Sequence, residues 1–154
     1  IALAIKRHLP AAKVVAADSD LSALLTARRN ATKLNLEVDF RHGRWFEPVA
    51  GERFDLVVCN PPYVASGDPH LADLGFEPRG ALVAGPDGLD AIREIVQQVG
   101  AFLLPGGWLL LEHGFGQEGA VSGLLERAGL ESVTTWPDLA GIARVSGGKC
   151  GGKR

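Results

Sequence analysis

An α/β fold, a mostly parallel sheet with helices on both faces, is predicted by three observations. Short strand-like runs alternate with helical-period segments along the chain. Two of the runs, FDLVVCN (Phe54 to Asn60) and WLLLEH (from Trp108), are almost continuously apolar, as strands buried on both faces are. Several runs also end abruptly in turn-forming residues, the punctuation expected between strand-helix units. At 154 residues the chain fits one domain around one core.

Taken in order, IALAIKRH (Ile1 to His8) is apolar, ends in basic residues and is closed by Pro10, which is how the last turns of a helix look. The chain opens inside that helix on Ile1 and contains no methionine, so further sequence upstream is expected. KVVAAD is a short strand ending at Asp18, and it feeds a helix whose apolar face comprises Leu21, Leu24, Leu25, Ala31 and Leu34, capped by Ser19 or Asp20. A weak strand from Glu37 to Arg41 precedes the HGRWFEP turn, and the strand from Phe54 is stopped by Pro61 and Pro62. From Val64 to Asp87 the chain reads as a long ordered loop of the kind that carries function. Gly88 to Leu104 is amphipathic, PGG (from Pro105) makes a turn, and the strand from Trp108 follows. Glu118 to Ala128 is a helix, Leu130 to Trp136 a strand, and Ile142 to Ser146 a last short strand. The organisation expected is a domain over residues 1–147 and a flexible glycine-rich tail over 148–154.

Composition narrows the function. A net charge of −2 gives no broad attraction for a phosphate backbone, so nucleic acid is a disfavoured partner. No apolar run approaches the roughly 20 residues of a membrane span. Cys59 and Cys150 form no disulfide framework, which suits a reducing cytoplasm, and the histidines His8, His42, His70 and His113 show no metal-binding spacing, so no metal is assigned.

Asn60-Pro61-Pro62-Tyr63 is the most specific signal. A buried strand delivers Asn60 to the carboxyl edge of the sheet, where ligands bind in such folds. The prolines lack N–H groups and force extended geometry on their predecessors, so the carbonyl between them is rigid and open to a donor. With the Asn60 side-chain oxygen this makes two fixed acceptors, which an NH₂ group requires if its lone pair is to be turned toward an electrophile. Tyr63 supplies a wall for a planar group. Amide nitrogens are poor nucleophiles, so alignment matters more here than a general base. The plainer reading of NPPY is a strand-ending turn.

Two other residues have double readings from the residues alone. Asp18 suits either a carboxylate accepting ribose hydroxyls or a helix cap. Trp45 suits either a core aromatic or the wall of a ligand site. The turn after Asp18 and the NPPY segment both fall at strand ends of one sheet and are expected to share a cleft.

The order AADSD, GRWF, FDLVVCNPPYV, EPRGAL, PGGWLLLEHG resembles the release-factor glutamine methyltransferase family (HemK/PrmC type) over nearly all of the chain. The resemblance implies a class I S-adenosylmethionine-dependent methyltransferase sheet, Rossmann-like, with its last strand antiparallel. It implies cytoplasmic methylation of the glutamine side-chain nitrogen in the Gly-Gly-Gln tripeptide of peptide chain release factors, with S-adenosylmethionine as cofactor. It assigns Asp18 to the cofactor ribose, Trp45 to the adenine side and Asn60 to Tyr63 to the substrate amide, Asn60 also bordering the cofactor. Glu77 and Arg79, in GFEPRGALVAG, become supporting residues on a substrate-side loop. LEHG leans toward release factors rather than ribosomal-protein substrates.

Two departures accompany the resemblance. The family's small helical domain, its glycine-rich cofactor loop and the first strand would precede Ile1. That strand is normally central, so its loss is expected to leave two apolar edges and a chain that binds cofactor poorly. Arg44 stands where the family usually has an acid, and a guanidinium cannot accept from an adenine amine. Two other functions fit the residues: an adenine-N6 methyltransferase on DNA or RNA, which poses the same geometric problem, and a non-catalytic domain that keeps the fold and binds a partner.

Overall fold

The computed structural model describes residues 1–72 and 82–152. These fall into two compact units, one from Ile1 to Glu52 and one beginning at Arg53. Each has its own sheet.

In the first unit, helix α1 (Ala2–His8) leads to strand β1 (Val15–Asp18), helix α2 (Leu21–Leu34) and strand β2 (Asp39–His42). The strands pair in parallel from Val15 opposite Asp39 to Asp18 opposite His42, as a strand-helix-strand unit requires. Helix α2 begins where the Asp20 carboxylate accepts from the Ser22 N–H at 2.7 Å, and it ends at Asn35, whose φ of 51° lets its N–H reach the last carbonyls. Leu24 and Ala31 are buried as the helical period predicts, but Leu21, Leu25 and Leu34 are exposed. A two-stranded sheet covers only a narrow stripe of the helix that crosses it. Beyond β2 the Arg41 guanidinium ties the next turn down, reaching the Pro48 carbonyl at 3.0 Å and the carboxylates of Asp39 and Glu52.

The second unit contains strand β3 (Phe54–Cys59), helix α3 (Asp90–Val99), strand β4 (Leu103–Glu112), helix α4 (Glu118–Arg127) and strands β5 (Leu130–Pro137) and β6 (Ala143–Cys150). The sheet order is β3-β4-β6-β5. Strands β3 and β4 are parallel, and the last strand, β6, runs antiparallel to both of its neighbours. The core comes from one face of each element: Ile92, Ile95, Val96 and Val99 of α3, Leu109 and Leu111 of β4, Val121 and Leu125 of α4. Each such side chain contributes about 1.5–3 kcal/mol through burial.

Four local readings change. Strand β3 is half-buried rather than buried on both faces, with Leu56 at 42% exposure, because it is the edge strand of its sheet. The helix expected from Gly88 to Leu104 is shorter, since the Phe102 carbonyl accepts from the Phe54 N–H at 2.8 Å and draws the chain into the sheet. Pro105-Gly106-Gly107 is a bulge inside β4 rather than a turn. There the register jumps from Leu103 opposite Phe54 to Trp108 opposite Leu56, and a Cβ on Gly107 would meet the Phe54 carbonyl oxygen at 2.8 Å. Finally, β6 continues through Gly148, Lys149 and Cys150 into the stretch expected to be a tail. Its glycines serve close packing: a Cβ on Gly148 would lie 2.9 Å from the Leu130 Cβ.

Candidate active site

At the carboxyl edge of the first unit, the Asp18 carbonyl accepts from the Gly43 N–H at 3.1 Å, so the turn bearing Trp45 leaves the sheet beside Asp18. The two readings of Asp18 separate here. Asp20 caps the helix, and its carboxyl lies below the usual carboxylate range because the Ser22 hydroxyl and N–H both donate to it. Asp18 instead accepts the Asp20 N–H on Oδ1 at 2.9 Å, and Oδ2 makes no hydrogen bond among the described residues. The Asp18 side chain is exposed, so that oxygen is available to a donor from outside the chain.

Trp45 has a φ of 48°, a conformation that costs a bulky residue about 1–3 kcal/mol and clusters at functional sites. Its indole Nε1 is buried and has no hydrogen-bond partner among the described residues. A buried, unmatched N–H is costly and calls for an acceptor. The Arg44 guanidinium lies 5.2 Å from the centre of the Trp45 ring, within cation-π range, so this basic residue stacks on the indole.

In the second unit, β3 delivers Asn60 to the carboxyl edge of the parallel β3/β4 pair, one residue after Cys59 stands opposite Leu111. The Asn60 side chain is exposed and has no hydrogen-bond partner among the described residues. Pro61 is buried, and its carbonyl receives no hydrogen bond among the described residues. Both acceptors are therefore uncommitted among the described residues. Tyr63 is half-buried, and its hydroxyl donates to Glu112 Oε1 at 3.4 Å, which aligns the ring with the end of β4.

The chain beyond Tyr63 is tied at once. Val64 and Val83 form a parallel bridge: the Val64 N–H donates to the Leu82 carbonyl at 2.8 Å and the Ala84 N–H to the Val64 carbonyl at 3.0 Å. Asp87 then pairs with Arg93 of α3, whose guanidinium holds the Asp87 carboxyl below its ordinary range. Glu77 and Arg79 lie outside the described residues. Two side chains at this edge escaped sequence reasoning. Glu112 sits in the LEHG segment, and Gln117 donates from Nε2 to the Tyr63 carbonyl at 3.0 Å. The polar residue three positions after Gly114, just ahead of a helix, was the available signal.

The model of the methyltransferase small domain family matches residues 1–73, which include Asp18, Trp45 and Asn60 to Tyr63. A release factor glutamine methyltransferase of Xylella fastidiosa (strain Temecula1 / ATCC 700964) is 52% identical over 155 aligned residues, covering 99% of this chain and 56% of that relative. A release factor glutamine methyltransferase of Neisseria gonorrhoeae (strain ATCC 700825 / FA 1090) is 46% identical over 153 aligned residues, covering 97% of this chain and 56% of that relative. The chain spans about half the length of the curated relatives it matches. Among solved structures, a methyltransferase from Pyrococcus furiosus superposes with a TM-score of 0.73 at 19% identity, over 97% of this chain and 68% of that one. A T. thermophilus 16S rRNA methyltransferase in complex with AdoMet and guanosine superposes with a TM-score of 0.63 at 23% identity, over 90% of this chain and 31% of that one. The fold is that of a class I, Rossmann-like methyltransferase with its last strand antiparallel.

Proposed function

We propose that the protein transfers a methyl group from S-adenosylmethionine to the side-chain amide nitrogen of the glutamine in the Gly-Gly-Gln motif of peptide chain release factors, in the cytoplasm. The observation that carries the reading is the pair of uncommitted acceptors, the exposed Asn60 side chain and the Pro61 carbonyl. The similarity to release factor glutamine methyltransferases supports the choice of substrate.

The residues of the first unit fit the cofactor by their chemistry. The open Asp18 oxygen takes a ribose hydroxyl, and the half-buried Trp45 ring offers a wall on the adenine side. When bound, S-adenosylmethionine supplies an electrophilic methyl on a sulfonium. Asn60 Oδ1 and the Pro61 carbonyl accept the two N–H groups of the substrate amide. Tyr63 packs against its plane, and Glu77 and Arg79 support the substrate. Orientation of this kind supplies up to roughly 7–11 kcal/mol of a barrier; as the N–C bond forms and the sulfonium S–C bond breaks, one amide proton passes to water, so no general base is assigned.

Full-length protein is tested with labelled S-adenosylmethionine against a release factor and, separately, an adenine-containing oligonucleotide. Label is expected in the release factor, with Asn60→Ala reducing kcat by on the order of 10²-fold through misalignment. Label in the oligonucleotide and none in the release factor overturns the substrate assignment. Undiminished transfer by Asn60→Ala overturns the mechanism.

A further inference from the structure

Gln117 stands just before α4 and makes hydrogen bonds to three separate segments. Its Oε1 accepts from the Gly114 N–H at 2.8 Å, and its Nε2 donates to the Tyr63 carbonyl at 3.0 Å and the Asp87 carbonyl at 3.2 Å. The partners fix the orientation of the amide, since a backbone N–H only donates and carbonyls only accept. Both Nε2 hydrogens and the oxygen are used. The side chain thus joins the turn after β3, the approach to α3 and the exit from β4 at one point.

The surroundings are cut to that contact. Gly88, at a φ of 74°, passes so close that a Cβ there would sit 2.2 Å from the Tyr63 carbonyl oxygen and 2.8 Å from Gln117 Nε2. A Cβ on Gly114 would sit 3.0 Å from Gln117 Oε1 and 3.3 Å from Tyr63 Cδ2. Glycine at both positions leaves room for the amide to reach the Tyr63 carbonyl.

The consequence follows from chain geometry. The β3 ladder holds the backbone on one side of the motif, with Cys59 opposite Leu111. The Pro62 ring fixes its own φ, so only ψ of Pro62 and φ and ψ of Tyr63 turn between the Pro61 carbonyl and the Tyr63 carbonyl. Pinning the Tyr63 carbonyl closes the far end and denies the Pro61 carbonyl room to swing. We infer that Gln117 is a positioning residue, holding the Asn60/Pro61 acceptor pair in place from the side away from the substrate. The kinetic part of this inference rests on the methyl-transfer reading, and the structural part stands apart from it.

Two full-length variants test it. Gln117→Met keeps the length of the side chain and loses every hydrogen bond. Gln117→Glu keeps an acceptor for Gly114 and loses both donors. Tyr63 is the single tyrosine of the 154 residues, and its carbonyl resonance, read with 1-¹³C-tyrosine and assigned by Tyr63→Phe, is expected to move upfield in both variants. In the transfer assay kcat is expected to fall about tenfold or more in both, with KM for S-adenosylmethionine within about twofold of wild type. An unmoved Tyr63 carbonyl in Gln117→Met overturns the inference. So does a moved resonance with unchanged kcat, or a lowered unfolding midpoint as the sole effect. If the wild-type protein transfers nothing to a release factor, the methyl-transfer reading fails by itself, and the carbonyl resonance still decides whether Gln117 holds Tyr63.

Discussion

Ser146→Ala probes a hydrogen-bond chain buried in the second unit. His113 and Ser146 are both completely buried. His113 Nδ1 faces the Gly114 carbonyl at 3.0 Å, and in the neutral ring that acceptor fixes the proton on Nδ1. Nε2 is then an acceptor, so the Ser146 hydroxyl, 2.9 Å away, donates to it, and the Thr135 hydroxyl donates to Ser146 at 2.8 Å. Removing the Ser146 oxygen strands a fully buried imidazole nitrogen, at a cost of about 1–3 kcal/mol. Thr135 is only half-buried and keeps the Ser122 hydroxyl at 3.5 Å, so it adds little. For a chain of this length each kcal/mol lowers the unfolding midpoint by roughly 2–4 °C, so a fall of about 2–12 °C is expected by calorimetry. Imidazole ¹⁵N shifts of the wild type should place the proton on Nδ1. A Ser146→Ala protein within about 0.5 kcal/mol of wild type, the range of an ordinary surface substitution, would refute this account, as would a proton on Nε2 in the wild-type ring.

Gly147→Val tests the glycine-rich end of β6. A Cβ there would meet Leu110 Cδ2 at 2.5 Å, the Leu109 carbonyl oxygen at 2.6 Å and Trp136 Cζ3 at 3.1 Å. A loss of about 1–3 kcal/mol by urea unfolding is expected, with an altered near-ultraviolet signal from the tilted Trp108–Trp136 pair, and an unshifted midpoint would count against the packing described. Asp138 predicts a pH dependence. Its carboxyl is held below the usual range by the Ile142 N–H, then by the Ala140 N–H and by Arg144. A depressed folded pKa contributes stability above the unfolded value of about 3.9, and that contribution fades as pH falls through the folded value. The stability gap between wild type and Asp138→Asn should therefore be open at neutral pH and close below about pH 4. A gap independent of pH would rule the mechanism out.

Features with local causes were legible in the sequence. Pro61 and Pro62 act on their own neighbours, so the open carbonyl was readable from four letters, and the strand-helix order followed from periodicity. Features set by contacts distant in sequence were not. Gln117 meets Tyr63 fifty-four positions away, and no local pattern marks that meeting. The glycines of β6 suggested flexibility because composition does not reveal that Leu110 and Leu130 lie against them. The sequence admitted either Ser19 or Asp20 as the cap of α2 and left Asp18 with two roles. The structure separates them, with Asp20 closing the helix and Asp18 keeping one oxygen unbonded.

The bridge between Val64 and Val83 works like the drawn neck of a purse. Val64 follows the tyrosine of the motif directly, so a substitution that loosens either anchor would be felt first at that tyrosine's backbone.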